Sequence, residues 1–173
     1  MDVFLIPGNR ANIDATIRSN VESQILQRHL HPDDVQNIIQ KSGGARNIHC
    51  WAVKKGKENL FKKMKPGDKV LLKESGTGKF NYIAEVCYKV HSVNLGTELW
   101  PDQTSSPWEF IYFLKGVKES NIDFRQFKTK LKYSSKFALQ GPISLNSEKW
   151  GIIREYYGSF DGFIASFESI KKP

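Results

Sequence analysis

Four tryptophans and a run of lysines are the residues of this chain best placed to do chemistry. The stretch HCWAVKKGK (49–57) sets Trp51 directly before Lys54, Lys55 and Lys57. A core tryptophan needs no cations beside it, and a solvated lysine face needs no tryptophan. The pair fits a ligand that is both flat and anionic, stacking on the indole while ammonium groups meet its charge. Trp100 lies in a segment rich in turn formers, LGTELWPDQTSSPW (95–108), which is an unusual place to bury an indole by accident. Trp108 follows Pro107 at the entrance to an apolar run, and Trp150 lies in a helical stretch. Core packing is the favoured reading for these last two.

Other constellations carry less. GTGK (76–79) lacks the glycine five residues before its Gly-Lys pair and the hydroxyl residue after it, so it reads as a hairpin turn rather than a phosphate loop. His29, His31, His49 and His91 make no metal-ligand spacing, and no Cys/His cluster has zinc spacing. Ser75, Ser105 and Ser106 stand in no nucleophile-elbow context. Asp102 and Glu109 form no recognisable acid/base pair. The sequence therefore argues for no catalytic set, no metal and no cofactor.

The charge has a direction. The net charge is +8, which favours an anionic partner, nucleic acid before membrane. Lys54 to Lys79 holds nine lysines against three acids, and a second basic stretch carries Arg125, Lys128, Lys130, Lys132 and Lys136. No apolar run approaches the roughly 18 residues of a membrane span. The start, MDVFLIPGN, has no signal-like character, and Cys50 and Cys87 are too few for a disulfide framework. A cytoplasmic protein with reduced thiols is expected.

The elements that must position these residues follow from periodicity. VFLIP (3–7) reads as a buried strand. Residues 12–29 read as one helix, capped by Asn12 or Asp14, with a second helix after HPDD that ends at SGGAR (42–46). Strands are predicted at 47–53, at the end of KPGDKVLLKE (65–74), at 82–90 and at 109–114, with a short helix at 58–64. Residues 95–108 read as loop, 120–137 show no clear period, and 148–157 read as helix. Short strands with interspersed helices within one domain length point to a small mixed α/β (α+β) barrel.

Several segments, in order, resemble the YTH/EVE group of the PUA-like superfamily, small β-barrels with flanking helices. VFLIPGN (3–9) looks like its first strand and the polar loop edging a pocket. NIHCWAV (47–53) resembles the strand carrying a first cage tryptophan. KMKPGDKVLL with GTGKFNYIAEV (63–86) is similar to its Gly-Asp strand and hairpin. LWPD (99–102) resembles the loop supplying a second cage aromatic, and GPISLNSEKWGII (141–153) the closing segment. A helical insert over about 13–45 and the PGNRAN loop look most like the N-terminal specificity domain of McrB-type, modification-dependent restriction systems. Residue 52 is Ala where a Ser or Thr is common, and no Arg-Asp-Gly occurs near residue 144.

The resemblance implies a domain over 1–165 with a tail or linker at 166–173. It implies a non-enzymatic module that takes a methylated base, N6-methyladenine first, out of double-stranded DNA and sandwiches it between Trp51 and Trp100. Phe80 or Trp108 would give a third wall. Asn9, Asn12 and backbone groups of Ala52 and Val53 would read the base edge. Lys54, Lys55, Lys57, Lys79, Arg46 and Arg10 would meet phosphates. An RNA reader of N6-methyladenosine and a 5-methylcytosine reader are the alternatives. A motor domain through which the parent chain oligomerises would lie outside these 173 residues.

Overall fold

The computed structural model describes residues 1–103 and 106–168. Six strands form one sheet: β1 (Val3–Gly8), β2 (His49–Val53), β3 (Lys69–Glu74), β4 (Lys79–His91), β5 (Phe110–Asp123) and β6 (Ile143–Ser144). Their order is β2-β5-β4-β3-β1-β6. β1 and β3 run parallel, and the other neighbours are antiparallel. Eight α-helices occur among the described residues: α1 (Arg10–Thr16), α2 (Ser23–His29), α3 (Pro32–Ser42), α4 (Glu58–Lys63), α5 (Val93–Leu99), α6 (Phe124–Lys130), α7 (Ser147–Tyr157) and α8 (Phe160–Glu168). None is long and apolar enough to cross a membrane.

The sheet is curled into a half-barrel. Three strands separate β1 from β2, so a flat sheet would hold them about 19 Å apart at the usual inter-strand spacing. Yet a Cβ built on Gly8, at the end of β1, would lie 2.7 Å from the Trp51 ring on β2. Register shifts at Phe80/Tyr82, Ile83/Glu85 and Val86/Tyr88 along β4 accompany the curl, as β-bulges sharpen twist and bend.

Both faces of the sheet are buried, which explains why its strands are apolar runs rather than alternating ones. Phe4, Ile6, Val70, Leu72, Tyr112 and Leu114 fill the concave interior. Val3, Leu5, Leu71 and Phe80 turn outward under α6, α7 and α8. Cys50, Ala52, Ile111 and Phe113 turn outward under α2, α3 and α5. Trp150 packs on the α7–α8 side, 6.3 Å from Phe160, as core packing requires.

The single helix expected over 12–29 is two. α1 ends at Thr16, and the following segment pairs with the start of β2: Val21 N–H donates to Ile48 O, and Ile48 N–H to Asn20 Oδ1. Asn20 thus offers the backbone an alternative to helix continuation. The cap of α1 is Asn9, whose side chain accepts from Asn12 N–H at 2.8 Å, not Asn12 or Asp14. α5 and α6 were not anticipated. Each starts at a side-chain cap, Ser92 and Asp123 respectively. α8 continues past residue 165 to Glu168, with Phe167 buried; residues 169–173 of the expected tail lie outside the described ones.

Arg18 ties α1 to the β3–β4 hairpin. Its guanidinium donates to Tyr82 OH (2.8 Å), to Asp14 (2.7 Å) and to the nearly buried carboxylate of Glu74, and these acceptors raise its already high pKa further. Removing it leaves that carboxylate underbonded. Arg18→Met should lower stability by about 1–3 kcal/mol. Urea unfolding checks this, and an unchanged midpoint would show the network to be solvent-compensated.

Candidate functional site

The cavity that the tryptophans address lies where the curled sheet fails to close. β6 pairs with β1 only at Phe4 and Leu5, so Ile6 and Pro7 have no strand on that side. Pro7, without an N–H, suits such an unpaired edge. β2, at the other end of the sheet, faces this gap. The resulting cavity of about 310 Å³ is lined by Ile6, Pro7, Trp51, Ala52, Val53, Lys54, Lys57, Trp108, Gln140, Gly141 and Pro142. That volume is at the small end for ligand sites.

Three indoles meet here. Trp51 and Trp108 have ring centroids 5.1 Å apart, Trp100 and Trp108 5.3 Å, and Trp51 and Trp100 6.1 Å. Trp51 and Trp100 are each 2% exposed, while Trp108 is half-buried. The Nε1 atoms of Trp100 and Trp108 are buried with no acceptor among the described residues.

Two packing devices fix the rings. Gly8 leaves room for the Trp51 ring, since any Cβ there would overlap it. The hairpin loop after β3 holds that glycine, with Ser75 N–H and Oγ both donating to Gly8 O at 2.8 and 3.1 Å. Gly96 in α5 lets the helix touch the Trp108 backbone: its Cβ would sit 2.1 Å from the Trp108 carbonyl oxygen.

The sandwich expected between Trp51 and Trp100 is not what the rings form. A base stacked on both sides needs parallel planes roughly 7 Å apart, two contacts of about 3.5 Å. These planes cross at 68° in edge contact at 6.1 Å. Trp51 and Trp108 line the cavity; Trp100 does not, and it contacts both rings.

Phe80 is not brought here either. It packs under α6, 4.8 Å from Phe127, on the convex face of the sheet. Trp51 belongs to the concave interior.

The base-edge candidates separate by strand geometry. Ile48 turns its N–H and C=O away from β5, to Asn20 and Val21. Two-residue alternation then turns Ala52 the same way, toward the cavity it lines, and Val53 toward β5. Asn9 is exposed and occupied as the α1 cap. Asn12 is buried, its Nδ2 has no partner among the described residues, and it is not on the cavity wall.

Of the cations, Lys54 and Lys57 line the cavity, and the end of the Lys57 side chain lies beside Gly141. Lys55 is exposed in the same short turn. Arg10 is exposed three residues past Pro7, making only a 4.0 Å pair with Asp14. Two cations are elsewhere. Arg46 precedes β2, at the end opposite Lys54. Lys79 lines a different cavity with Ile83 and Lys118, on the α8 side.

Sequence reasoning missed Gln140 and the wall made by Ile6. The shortness of β6 that exposes this wall has no local sequence signal other than Pro7 and Pro142.

Burial pushes the pKa of the Cys50 thiol and of the Tyr112 hydroxyl up. Among the described residues, no three His, Cys, Asp or Glu side chains converge as metal ligands.

No protein-family model and no curated protein matches the chain. Solved structures do. The N-terminal domain of Thermococcus gammatolerans McrB, bound to m5C DNA, aligns at 17% identity over 99% of this chain and 100% of that one, with a TM-score of 0.65. A protein of Rhodopseudomonas palustris aligns at 10% identity over 100% and 97%, with a TM-score of 0.50. The YTH domain of Pho92, in complex with m6A, aligns at 14% identity over 92% and 87%, with a TM-score of 0.47. The chain shares the fold of the McrB N-terminal domain.

Proposed function

We propose that this chain is a DNA-binding module that holds a methylated base, swung out of its duplex, in the cavity between β1 and β2. One observation carries the reading. Trp51, Trp108, Ala52 at the outer edge of β2, and Lys54 and Lys57 all line one cavity. An apolar slot with an adjacent hydrogen-bonding edge suits a base, and the lysines suit the phosphates beside it.

The energies are of the right order. Extruding a base costs a few kcal/mol, and stacking on an aromatic side chain returns roughly 1–3 kcal/mol per base. Burying one methyl adds about 0.8 kcal/mol, a preference of only about fourfold. Further discrimination comes from hydrogen bonds at the Ala52 edge, with Asn9 and Asn12 as side-chain contributors after rearrangement, and from easier extrusion of the modified base.

N6-methyladenine is the favoured base. It is neutral, so the indoles act by stacking and burial rather than by attracting a cation. The module acts by binding and serves as the specificity domain of a McrBC-type restriction system in the cytoplasm. The parent chain assembles through a motor domain. The fold shared with the Thermococcus McrB domain supports that role. The same neighbour was solved on m5C DNA, which favours 5-methylcytosine as the second reading.

A binding panel separates these. Duplexes of one sequence carrying N6-methyladenine, 5-methylcytosine or no methyl are compared with single-stranded RNA carrying N6-methyladenosine. The reading expects the adenine-methylated duplex to bind tightest. Tightest binding of the RNA would make the chain an RNA reader, and equal binding of all four would remove the proposal.

The rim lysines give a separate expectation. Lys54→Ala with Lys57→Ala should weaken methylated and plain DNA alike and reduce the slope of log affinity against log salt by about two. An unchanged slope would mean that neither lysine meets a phosphate.

A further inference from the structure

A second basic surface lies away from the cavity. Residues 124–140 hold Arg125, Lys128, Lys130, Lys132 and Lys136 and no acid. α6 and the turn after it gather this charge around Phe124. Lys73 from β3 and Lys128 from α6 both lie over that ring, at 5.3 and 5.2 Å from its centroid. Lys128 then donates to the carbonyls of Ser135 (2.9 Å) and Phe137 (3.1 Å), which holds the turn presenting Lys136. Arg125 and Lys136 are exposed, and among the described residues neither they nor Lys73 pair with a carboxylate.

The nearby acids are committed elsewhere. Asp123, in register with Lys79, caps α6 through Gln126 N–H at 2.9 Å, and Glu74 takes the Arg18 guanidinium. Cations held without local counter-charge, on an ordered turn, fit an anion supplied from outside.

This surface is rigidly connected to the base cavity. Ser75, two residues past Lys73, donates to Gly8 O, and Gly8 packs against Trp51. A chain spans at most about 3.5 Å per residue, so Lys73 lies within roughly 20 Å of the cavity. Successive phosphates of one strand are about 3.4 Å apart along the duplex axis, which makes that separation at most about six base pairs.

We propose that Arg125, Lys136 and Lys73 form a second phosphate-binding surface that grips the duplex flank within about six base pairs of the extruded base. The inference rests on the reading of the cavity as a base site.

The test uses the full chain and two methylated duplexes, one extending three base pairs and one extending ten on both sides of the modified base. The longer duplex should bind wild type several-fold tighter. Arg125→Ala with Lys136→Ala should abolish that gain and lower the salt slope on the long duplex by about two, leaving the short duplex and the methyl preference unchanged. If the double variant keeps both the gain and the slope while wild type prefers the methylated base, the second surface is wrong and the base site stands. If wild type shows no methyl preference, the base site itself fails; a slope that still falls would then leave the patch as a general nucleic-acid contact.

Discussion

Trp51→Leu should remove most of the preference for a methylated duplex while leaving binding to plain DNA nearly intact. The ring is a wall of the cavity, 2% exposed, and it is wedged between Gly8 of β1 and the other two indoles. Losing one stacking face costs about 1–3 kcal/mol per base, which is roughly 5- to 150-fold in affinity. The phosphate contacts are untouched, so the salt slope should stay the same. Leucine keeps the site apolar, and a urea titration run alongside shows how much of the protein remains folded. Trp100→Ala should act more weakly on the base and mainly through loosened packing, because Trp100 buttresses the two walls without lining the cavity. A methyl preference that survives Trp51→Leu would take the base out of this cavity.

Gly96→Ala should damage both stability and recognition, although residue 96 touches no ligand in this account. The added Cβ would sit 2.1 Å from the Trp108 carbonyl oxygen and 2.9 Å from its carbon. Both neighbours are backbone and cannot rotate away. The helix cannot slide easily either, since Ser92 caps it and donates its own N–H to Glu109 O at 2.9 Å. Overpacking of this kind costs about 1–3 kcal/mol. Relief of the clash must push Trp108 away from α5 and toward the cavity it lines. Thermal unfolding and methyl preference, measured where the variant is still folded, should fall together. Unchanged values for both would mean that α5 and the Trp108 backbone are not in contact in solution.

Much of the frame was legible in the sequence because a sheet buried on both faces leaves continuous apolar runs. VFLI, VLL and FIYFL could be read as strands for that reason. The site was legible in its chemistry and less so in its geometry. Trp51, Lys54 and Lys57 do line one cavity, whereas Trp100, from a distant segment, touches the Trp51 ring without lining it.

What periodicity could not give was parity along β4. Tyr82, Ala84 and Val86 face the concave interior, so Phe80 shares their sequence parity, but the register shift between Phe80 and Tyr82 sends it to the other face. A bulge has no clear signature in a single sequence. The division of labour between Trp100 and Trp108 was hidden by Gly96. Read as a turn former, it masked α5, where its lack of a Cβ is what allows the helix to approach.

The central claim is that one methyl group on one base is felt in this cavity. It is tested most directly by the affinities of two duplexes that differ only in a methyl at a single base, measured at one salt concentration on wild type and on Trp51→Leu. The account predicts a preference of at least about fourfold for wild type and near equality for the variant. Equal affinities on wild type, for methylated adenine and methylated cytosine alike, would contradict it.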